Sequence, residues 1–336
     1  MSQKKLALAL QGGGSHGAYT WGVLDRLLED GRIEIEGISG ASAGAMNAVV
    51  LADGYTAGGR EGARQALKAF WSKVSEKLGH QGIAAASAVP VPDPTARAYL
   101  YLTRFFSPYQ LNPLNINPLR DIVAEHVDFD RLRAECTMKL FISATRVSNG
   151  ALRIFSREEL TVDSLLASAC LPSIHHSVEV DGVAYWDGGL TANPPLSVLV
   201  YKCAARDVLV VVLNPLGDDV VPTTVEAIGE RLSQIGFSST LSAELQAIEL
   251  AKAEADRSRF SFGRLDRRLR ALNMHVIDSA RYMAGLAPAS RYNTDAGFIE
   301  ALRDEGRARA DDWLQRNFGA IGTRTTVSMD SPLLQP

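Results

Sequence analysis

From its fifth residue the chain reads Lys5-Leu6-Ala7-Leu8-Ala9-Leu10 and then breaks into Gln11-Gly12-Gly13-Gly14. A short apolar run closed by glycines marks a strand buried on both faces of a parallel sheet, where no side chain alternates toward water. Trp21, Leu24, Leu27 and Leu28 follow at helical spacing over 18–30, and Gly31 supplies a C-terminal stop. Ile33, Ile35 and Ile38 mark a second strand, which runs into Gly40-Ala41-Ser42-Ala43-Gly44 and a helix carrying Ala45, Ala48, Val49 and Ala52 on one side. Strand, helix, strand and helix in succession predict an α/β domain with a mostly parallel central sheet.

Further strands are expected at 139–145, 151–155 and 208–213, with a hairpin over 178–186 turning at Asp181-Gly182. Helical stretches are expected at 61–77, 163–169, 198–205, 225–255 with a break near Gly236, and 297–318. The domain plan is a core over 1–215, a C-terminal helical extension over 216–318 packed on it, and a flexible tail over 319–336. Residues 83–118 form an irregular insertion too apolar for a solvated linker, with Tyr99, Leu100, Tyr101, Leu102, Phe105, Phe106 and Tyr109 clustered in it. Two roles are open to it: covering or lining a site, or ordinary core packing.

Composition removes several function classes. A net charge of -3 with 35 basic residues among 336 gives no basic field for nucleic acid. Cys136, Cys170 and Cys203 are odd in number and widely spaced, against both a disulfide framework and a zinc site, and they fit a reducing, cytoplasmic setting. No signal peptide is expected at the start. No apolar run reaches the roughly 20 residues that span a bilayer, so membrane contact is expected to be peripheral at most. Arg264, Arg267, Arg268 and Arg270 with Leu265, Leu269 and Leu272 form a basic, partly apolar segment that suits either an anionic lipid surface or a solvated helix face.

Three motifs carry chemistry. Gly40-Ala41-Ser42-Ala43-Gly44 is a GxSxG sequence between a strand and a helix of small residues. There it forms a sharp elbow that raises the Ser42 hydroxyl above the sheet edge, or a plain helix N-cap. Gln11-Gly12-Gly13-Gly14-Ser15-His16-Gly17 joins a strand to a helix N-terminus, so its N–H groups can converge on a developing oxyanion. Gly12, Gly14 and Gly17 also match a dinucleotide fingerprint, with Glu34 or Glu36 available for a ribose. The second strand ends instead at the serine elbow, which a nicotinamide enzyme does not require. Trp186-Asp187-Gly188-Gly189 places a carboxylate at a strand end, as a base for a hydroxyl or as an Asp-Gly turn. Asn193-Pro194 reads as a helix N-cap with proline at the first helical position. His275, the sole histidine after Asp187, lies in Leu272-Asn273-Met274-His275-Val276-Ile277 and reads as structural; His175 and His176 suit a pocket wall or packing.

In this order, a glycine loop after the first strand, GxSxG after the second and Asp-Gly-Gly far downstream resemble the patatin-like phospholipase family, bacterial members included, over roughly 5–213. The resemblance implies a three-layer α/β/α domain and lipid acyl hydrolase activity by a serine–aspartate dyad without histidine, metal or cofactor. Ser42 and Asp187 match the dyad and Gly12, Gly13 and Gly14 the oxyanion loop, with Gly17, Gly40, Gly44, Gly188 and Gly189 supporting the turns. Ser168-Ala169-Cys170-Leu171-Pro172 is similar to the family's small-residue segment before the Asp-Gly-Gly hairpin. The family commonly carries Arg or Lys where His16 stands, so the resemblance supplies no fixed cation beside the oxyanion loop. The implied partner is a lipid or other acyl ester. A nucleotide-dependent oxidoreductase and a non-catalytic lipid-binding protein remain as alternatives, and oligomeric state is left open.

Overall fold

The computed structural model describes residues 3–78, 101–103, 105–214, 221–257 and 263–327. Its strands are β1 (Lys4–Leu10), β2 (Ile33–Gly40), β3 (Lys139–Arg146), β4 (Leu152–Ser156), β5 (Val178–Val180), β6 (Val183–Asp187), β7 (Asp207–Val212) and β8 (Asn273–Asp278). The principal helices are α1 (Gly17–Asp30), α2 (Ala43–Leu78), α3 (Pro118–His126), α4 (Phe129–Glu135), α5 (Val162–Ser168), α6 (Ser197–Lys202), α7 (Val225–Arg257), α8 (Arg264–Arg270) and α9 (Ala296–Asn317).

β1 is central and parallel to β2 on one edge and β7 on the other; β3 and β8 extend the parallel set outward. The alternating Leu-Ala pattern of β1 explains the layers. Leu6, Leu8 and Leu10 enter a core shared with α1, α2 and α9, whereas Ala7 and Ala9 face a second core built by α6, α7 and α8. Large side chains on one face and small ones on the other let helices pack on both sides of a strand with no wet face.

β4, β5 and β6 are the antiparallel part of the sheet, and β6 decides where the site lies. β2 pairs with β3 up to Gly40 opposite Ile142, and β6 pairs with β3 from Asp187 opposite Ala144. β4 pairs with both of these β3 stretches, so it occupies the other edge of β3. β2 and β6 therefore approach head-on along one edge, with only Ser143 between the β3 positions that face their ends. The strand that ends in the elbow and the strand that ends in Asp187 are aimed at each other.

The C-terminal third departs from the expected helical extension. β8 pairs with β7 from Asn273 to Asp278, completing the same sheet, because Met274 and Ile277 bury their side chains as a strand of the core. α9 crosses α1 at near-contact of the two backbones. A side chain at Gly22 would collide with the Arg303 carbonyl and one at Gly306 with that of Tyr19. α7 runs unbroken through Gly236; one glycine costs a helix only about 1 kcal/mol, too little to end it. α2 does bend, with Gly59 at φ 62°.

The expected flexible tail is tied down as far as residue 327, where Thr326 and Val327 N–H groups donate to the Met274 carbonyl. His275 is structural: fully buried, it meets Asp207 Oδ1 through Nε2 and Thr326 Oγ1 through Nδ1, both at 2.9 Å. Among the described residues no helix is long and apolar enough to cross a membrane.

Candidate active site

Ser42 sits between β2 and α2 with φ 52°, a left-handed conformation that costs a non-glycine residue about 1–2 kcal/mol. Its N–H is held by the Ser168 carbonyl at 3.1 Å and Oγ at 3.0 Å, which fixes the elbow from the α5 side. Gly44 is required by close approach, since any side chain there would strike the Leu10 carbonyl; a side chain at Gly40 would likewise collide with the Gly44 backbone. The sharp turn thus depends on glycines whose space is taken by β1 and by the turn itself.

Asp187 is fully buried at the end of β6. Its Oδ1 accepts the Gly189 N–H at 2.7 Å, while Oδ2 is buried and meets no hydrogen-bond partner. Burial raises the Asp187 pKa to about 7, opposed by the Gly189 N–H and by the Ser42 hydroxyl. The hydroxyl is thus close enough to act on the carboxylate without completing a hydrogen bond to Oδ2. A group with one unpaired oxygen and a pKa near neutrality can take a proton and return it. Gly188 packs against the Ser143 carbonyl, and Gly189 lies under the Phe237 ring of α7. Cys170, whose carbonyl accepts the Asp187 N–H, has its own thiol pushed up to about 12, chiefly by burial.

The glycine loop behaves differently from expectation at one position. Gly12 donates its N–H to Asn193 Oδ1 at 2.7 Å and is not offered to a ligand. Gly13 and Gly14 follow, with Gly14 at φ 59° against the Arg291 carbonyl, and no acceptor among the described residues takes their N–H groups. Gly17 packs against Ala43 and Trp71. Asn193 is not a helix cap either: its peptide bond to Pro194 is cis, and its Nδ2 donates to the Phe237 carbonyl at 2.8 Å. The donors at the start of α6, Leu196 and Ser197 N–H, go instead to Glu244 of α7. Of the acids a nucleotide site would need, Glu34 pairs with Lys5, and Glu36 accepts the Ala204 and Ala205 N–H groups.

His16 is buried, hydrogen-bonded to Ser290 Oγ at 2.8 Å, and its pKa falls to about 4 through burial and the nearby Arg291 charge. It is neutral at physiological pH. The charge beside the loop comes from Arg291, which arrives from the segment between β8 and α9. Tyr292 follows it, buried enough to raise its pKa, with Arg291 opposing the rise and Asp187 adding to it. No motif announces either residue.

Among the described residues, two cavities open at Ser42. The larger, about 450 Å³, is walled by Met46, Phe70, Trp71, Val74, Leu119 and Ile174, among others. Leu111, Asn112, Ile116, Asn117 and Pro118 line it too, so the described end of the 83–118 insertion does contribute to the site; 83–100 lie outside the described residues. His175 lines this cavity, its pKa lowered by burial. His176 lies outside both cavities and stacks on Tyr109 with ring centroids 4.0 Å apart. The smaller cavity, about 300 Å³, is walled by Gly12, Gly13, Pro172, Ser173, Asn214 and the α7 residues Leu232, Ser233 and Phe237. Gly14, Ser42, Leu171, Arg291 and Tyr292 line both.

The basic segment that suits either a lipid surface or a solvated helix face is α8, and part of it is spent on packing while Arg264, Leu265 and Arg267 stay exposed. Arg268 and Arg270 donate to the Val200 and Ala255 carbonyls, and Leu269 and Leu272 are buried.

Comparison with known proteins finds a family match and more distant structural likenesses. The chain resembles VipD of Legionella pneumophila with a TM-score of 0.48 and 16% identity, over 93% of this chain and 67% of that one. It resembles ExoU, from the ExoU–SpcU complex of the Pseudomonas aeruginosa type III secretion system, with a TM-score of 0.42 and 16% identity. That likeness covers 95% of this chain and 52% of the other. Neither is close enough to speak for chemistry. No curated protein matches the sequence. The model of the patatin-like phospholipase family matches residues 8–200, more than half of the chain and the part holding Ser42, Asp187 and the glycine loop. The chain therefore belongs to the patatin-like phospholipase family of ester hydrolases.

Proposed function

We propose that the protein hydrolyses lipid acyl esters through a Ser42–Asp187 dyad and an acyl-enzyme. Asp187 Oδ2 takes the hydroxyl proton as the Ser42 oxygen attacks the ester carbonyl. The Gly13 and Gly14 N–H groups receive the oxyanion, each such donor being worth about 2.7–4 kcal/mol in the transition state. Asp187 returns the proton to the departing alcohol and then activates the water that releases the fatty acid. The large apolar cavity takes the acyl chain. Ile116, exposed in its lining, would meet a lipid surface.

What carries this reading is the one unpaired, fully buried carboxylate oxygen of Asp187, held near neutral pKa beside a serine in a strained turn. A structural aspartate would have both oxygens satisfied. Of the described histidines, His275 is engaged with Asp207 and Thr326 and His16 with Ser290, while His175 lines the same cavity as Ser42 with its buried Nδ1 meeting no hydrogen-bond partner, neither Ser42 nor Asp187.

The test is Ser42→Ala, which should lower ester turnover by about four orders of magnitude or more while leaving the thermal transition in place. A fluorophosphonate should label wild type at Ser42 alone. Turnover retained in Ser42→Ala refutes the assignment, and absence of labelling in wild type favours a lipid binder that does no chemistry.

A further inference from the structure

Tyr292 lines both cavities, and its hydroxyl has no partner in the protein. No described residue gives that hydroxyl a hydrogen bond or takes one from it, yet the oxygen is not sealed from water. The side chain is only partly exposed, and burial is the main cause of its raised pKa, so the oxygen lies deep and opens into cavity space. Two observations bracket the ring. At its root, the Arg291 carbonyl that precedes it sits against Gly14, so the chain enters beside the oxyanion loop. At its tip, the phenol oxygen feels the charge of Asp187, the carboxylate on which the Ser42 hydroxyl also acts. The ring therefore reaches from the glycine loop toward the reacting serine, where the two cavities join.

Resting on the acyl-ester reading above, we propose that Tyr292 is a further catalytic residue, whose hydroxyl donates a hydrogen bond to the bridging oxygen of the ester as the alcohol departs. With the acyl chain in the apolar cavity and its carbonyl at Ser42, the alcohol extends into the smaller cavity. The bridging oxygen then falls at the junction, where Tyr292 stands. As the bond from the acyl carbon to that oxygen breaks, the electron pair stays on the oxygen, which takes its proton from Asp187. The phenol keeps its own proton and holds the growing charge by hydrogen bond alone. A phenol that stays neutral is a donor throughout, and burial favours that form. A lone carboxyl group that carries the proton both ways gains from a second donor at the oxygen it must protonate. Tyr292 enters from outside the span matched by the family, so this donor comes from the C-terminal third.

The experiment measures kcat/KM for ethyl, 2,2,2-trifluoroethyl and p-nitrophenyl hexanoate on wild type and Tyr292→Phe, each ester below its solubility limit. The three share an acyl chain and differ in how well the departing oxygen bears charge unaided. Tyr292→Phe should lose about 10- to 100-fold on the ethyl ester, the range of one hydrogen bond to a developing charge. The loss should shrink for the trifluoroethyl ester and be least for the p-nitrophenyl ester. A structural prop, or a contact to the carbonyl oxygen, would depress all three alike, so an equal loss overturns the proposal. No loss on the ethyl ester overturns it as well.

Because the hydroxyl has no protein partner and phenylalanine keeps the ring, Tyr292→Phe should melt together with wild type. The ratio of ethyl to p-nitrophenyl turnover is read within one preparation, so a partly folded sample cannot imitate the effect. Failure of the fluorophosphonate to label Ser42 in wild type would sink the dyad reading. Labelling at Ser42 with a flat loss across the three esters sinks the role of Tyr292 alone.

Discussion

The two cavities that meet at Ser42 are assembled from different parts of the chain, and the difference separates proton transfer from help to the departing alcohol. The acyl side is walled mainly by α2, the 111–119 segment and residues 169–175, all inside the span matched by the family. The alcohol side takes Leu232, Ser233, Gly236 and Phe237 from α7 and Arg291 with Tyr292 from the segment before α9, all outside it. Proton transfer needs groups placed to a few tenths of an ångström, and the sheet supplies that. β2 and β6 are both hydrogen-bonded to β3, so the strands that lead to Ser42 and end in Asp187 share one scaffold. Assisting a departing alcohol tolerates more play, and the peripheral elements are free to differ in sequence without disturbing the proton transfer.

The comparison breaks most sharply at Asp187. Asp187→Asn should lower kcat/KM by about 10²- to 10⁴-fold, the usual worth of a positioned base. The same change should stabilise the fold at high pH. The Asp187 pKa of about 7 lies above the roughly 3.9 of an exposed aspartate, so its bound proton stabilises the native state below pH 4 and that contribution is lost as pH rises through 7. A thermal melt of Asp187→Asn should therefore lie a few degrees above wild type at pH 8.5, with the gap narrowing as pH falls and closing only below about pH 4. Wild-type kcat/KM should climb with pH and level off above about 7; a flat profile from pH 5 to 9 would remove Asp187 from the mechanism.

Gly14 joins the two sides, and its substitution should cost less. Gly14→Ala sets a side chain against the Arg291 carbonyl at a left-handed φ, so chemical denaturation should show a loss of about 1–3 kcal/mol. If instead stability is unchanged, the C-terminal segment is not locked onto the loop and the alcohol cavity is not a fixed object.

The smallest effect sharpens the acyl side alone. Each added CH₂ is worth about 0.8 kcal/mol on burial, so kcat/KM over a series of soluble esters should rise about fourfold per carbon until the cavity is full. Extending the alcohol instead should show no such slope. Equal slopes on both sides would mean that the two cavities are not divided as described.

How much of this was legible in the sequence follows the same division. The glycines around Ser42, and Gly12 and Gly14, were readable because close backbone approach excludes a side chain there, so composition at those positions carries the geometry. Asp187 was readable from its place between a hairpin strand and Gly188-Gly189. The insertion's contribution to the site was one of two roles its apolar content allowed. The capture of Gly12 by Asn193 was misread, because Asn-Pro has a local meaning as a helix start and nothing nearby reports a partner 181 residues away. Gly236 was misread as a break, because a lone glycine weakens a helix by less than packing returns to it. β8 falls in a stretch whose histidine reads as structural, but its membership in the sheet rests on pairing with β7, which no local pattern encodes.

Arg291 and Tyr292 were invisible. Ala289-Ser290-Arg291-Tyr292 has ordinary surface composition, and only the crossing of α1 and α9 with β8 beside β7 brings it over the loop. By itself, then, the sequence determined the layered α/β plan, the elbow at Ser42, the carboxylate at the end of a hairpin strand and the glycine loop, since each is enforced by steric limits acting within a few residues. Tertiary structure alone decided that Asp187 keeps one oxygen unpaired near neutral pKa, that Gly12 is already engaged, and that a cation stands at the junction of the cavities. Those properties arise from burial and from charges meeting across more than a hundred residues, where the desolvation of a carboxylate depends on everything packed around it and on nothing in its own neighbourhood of the chain.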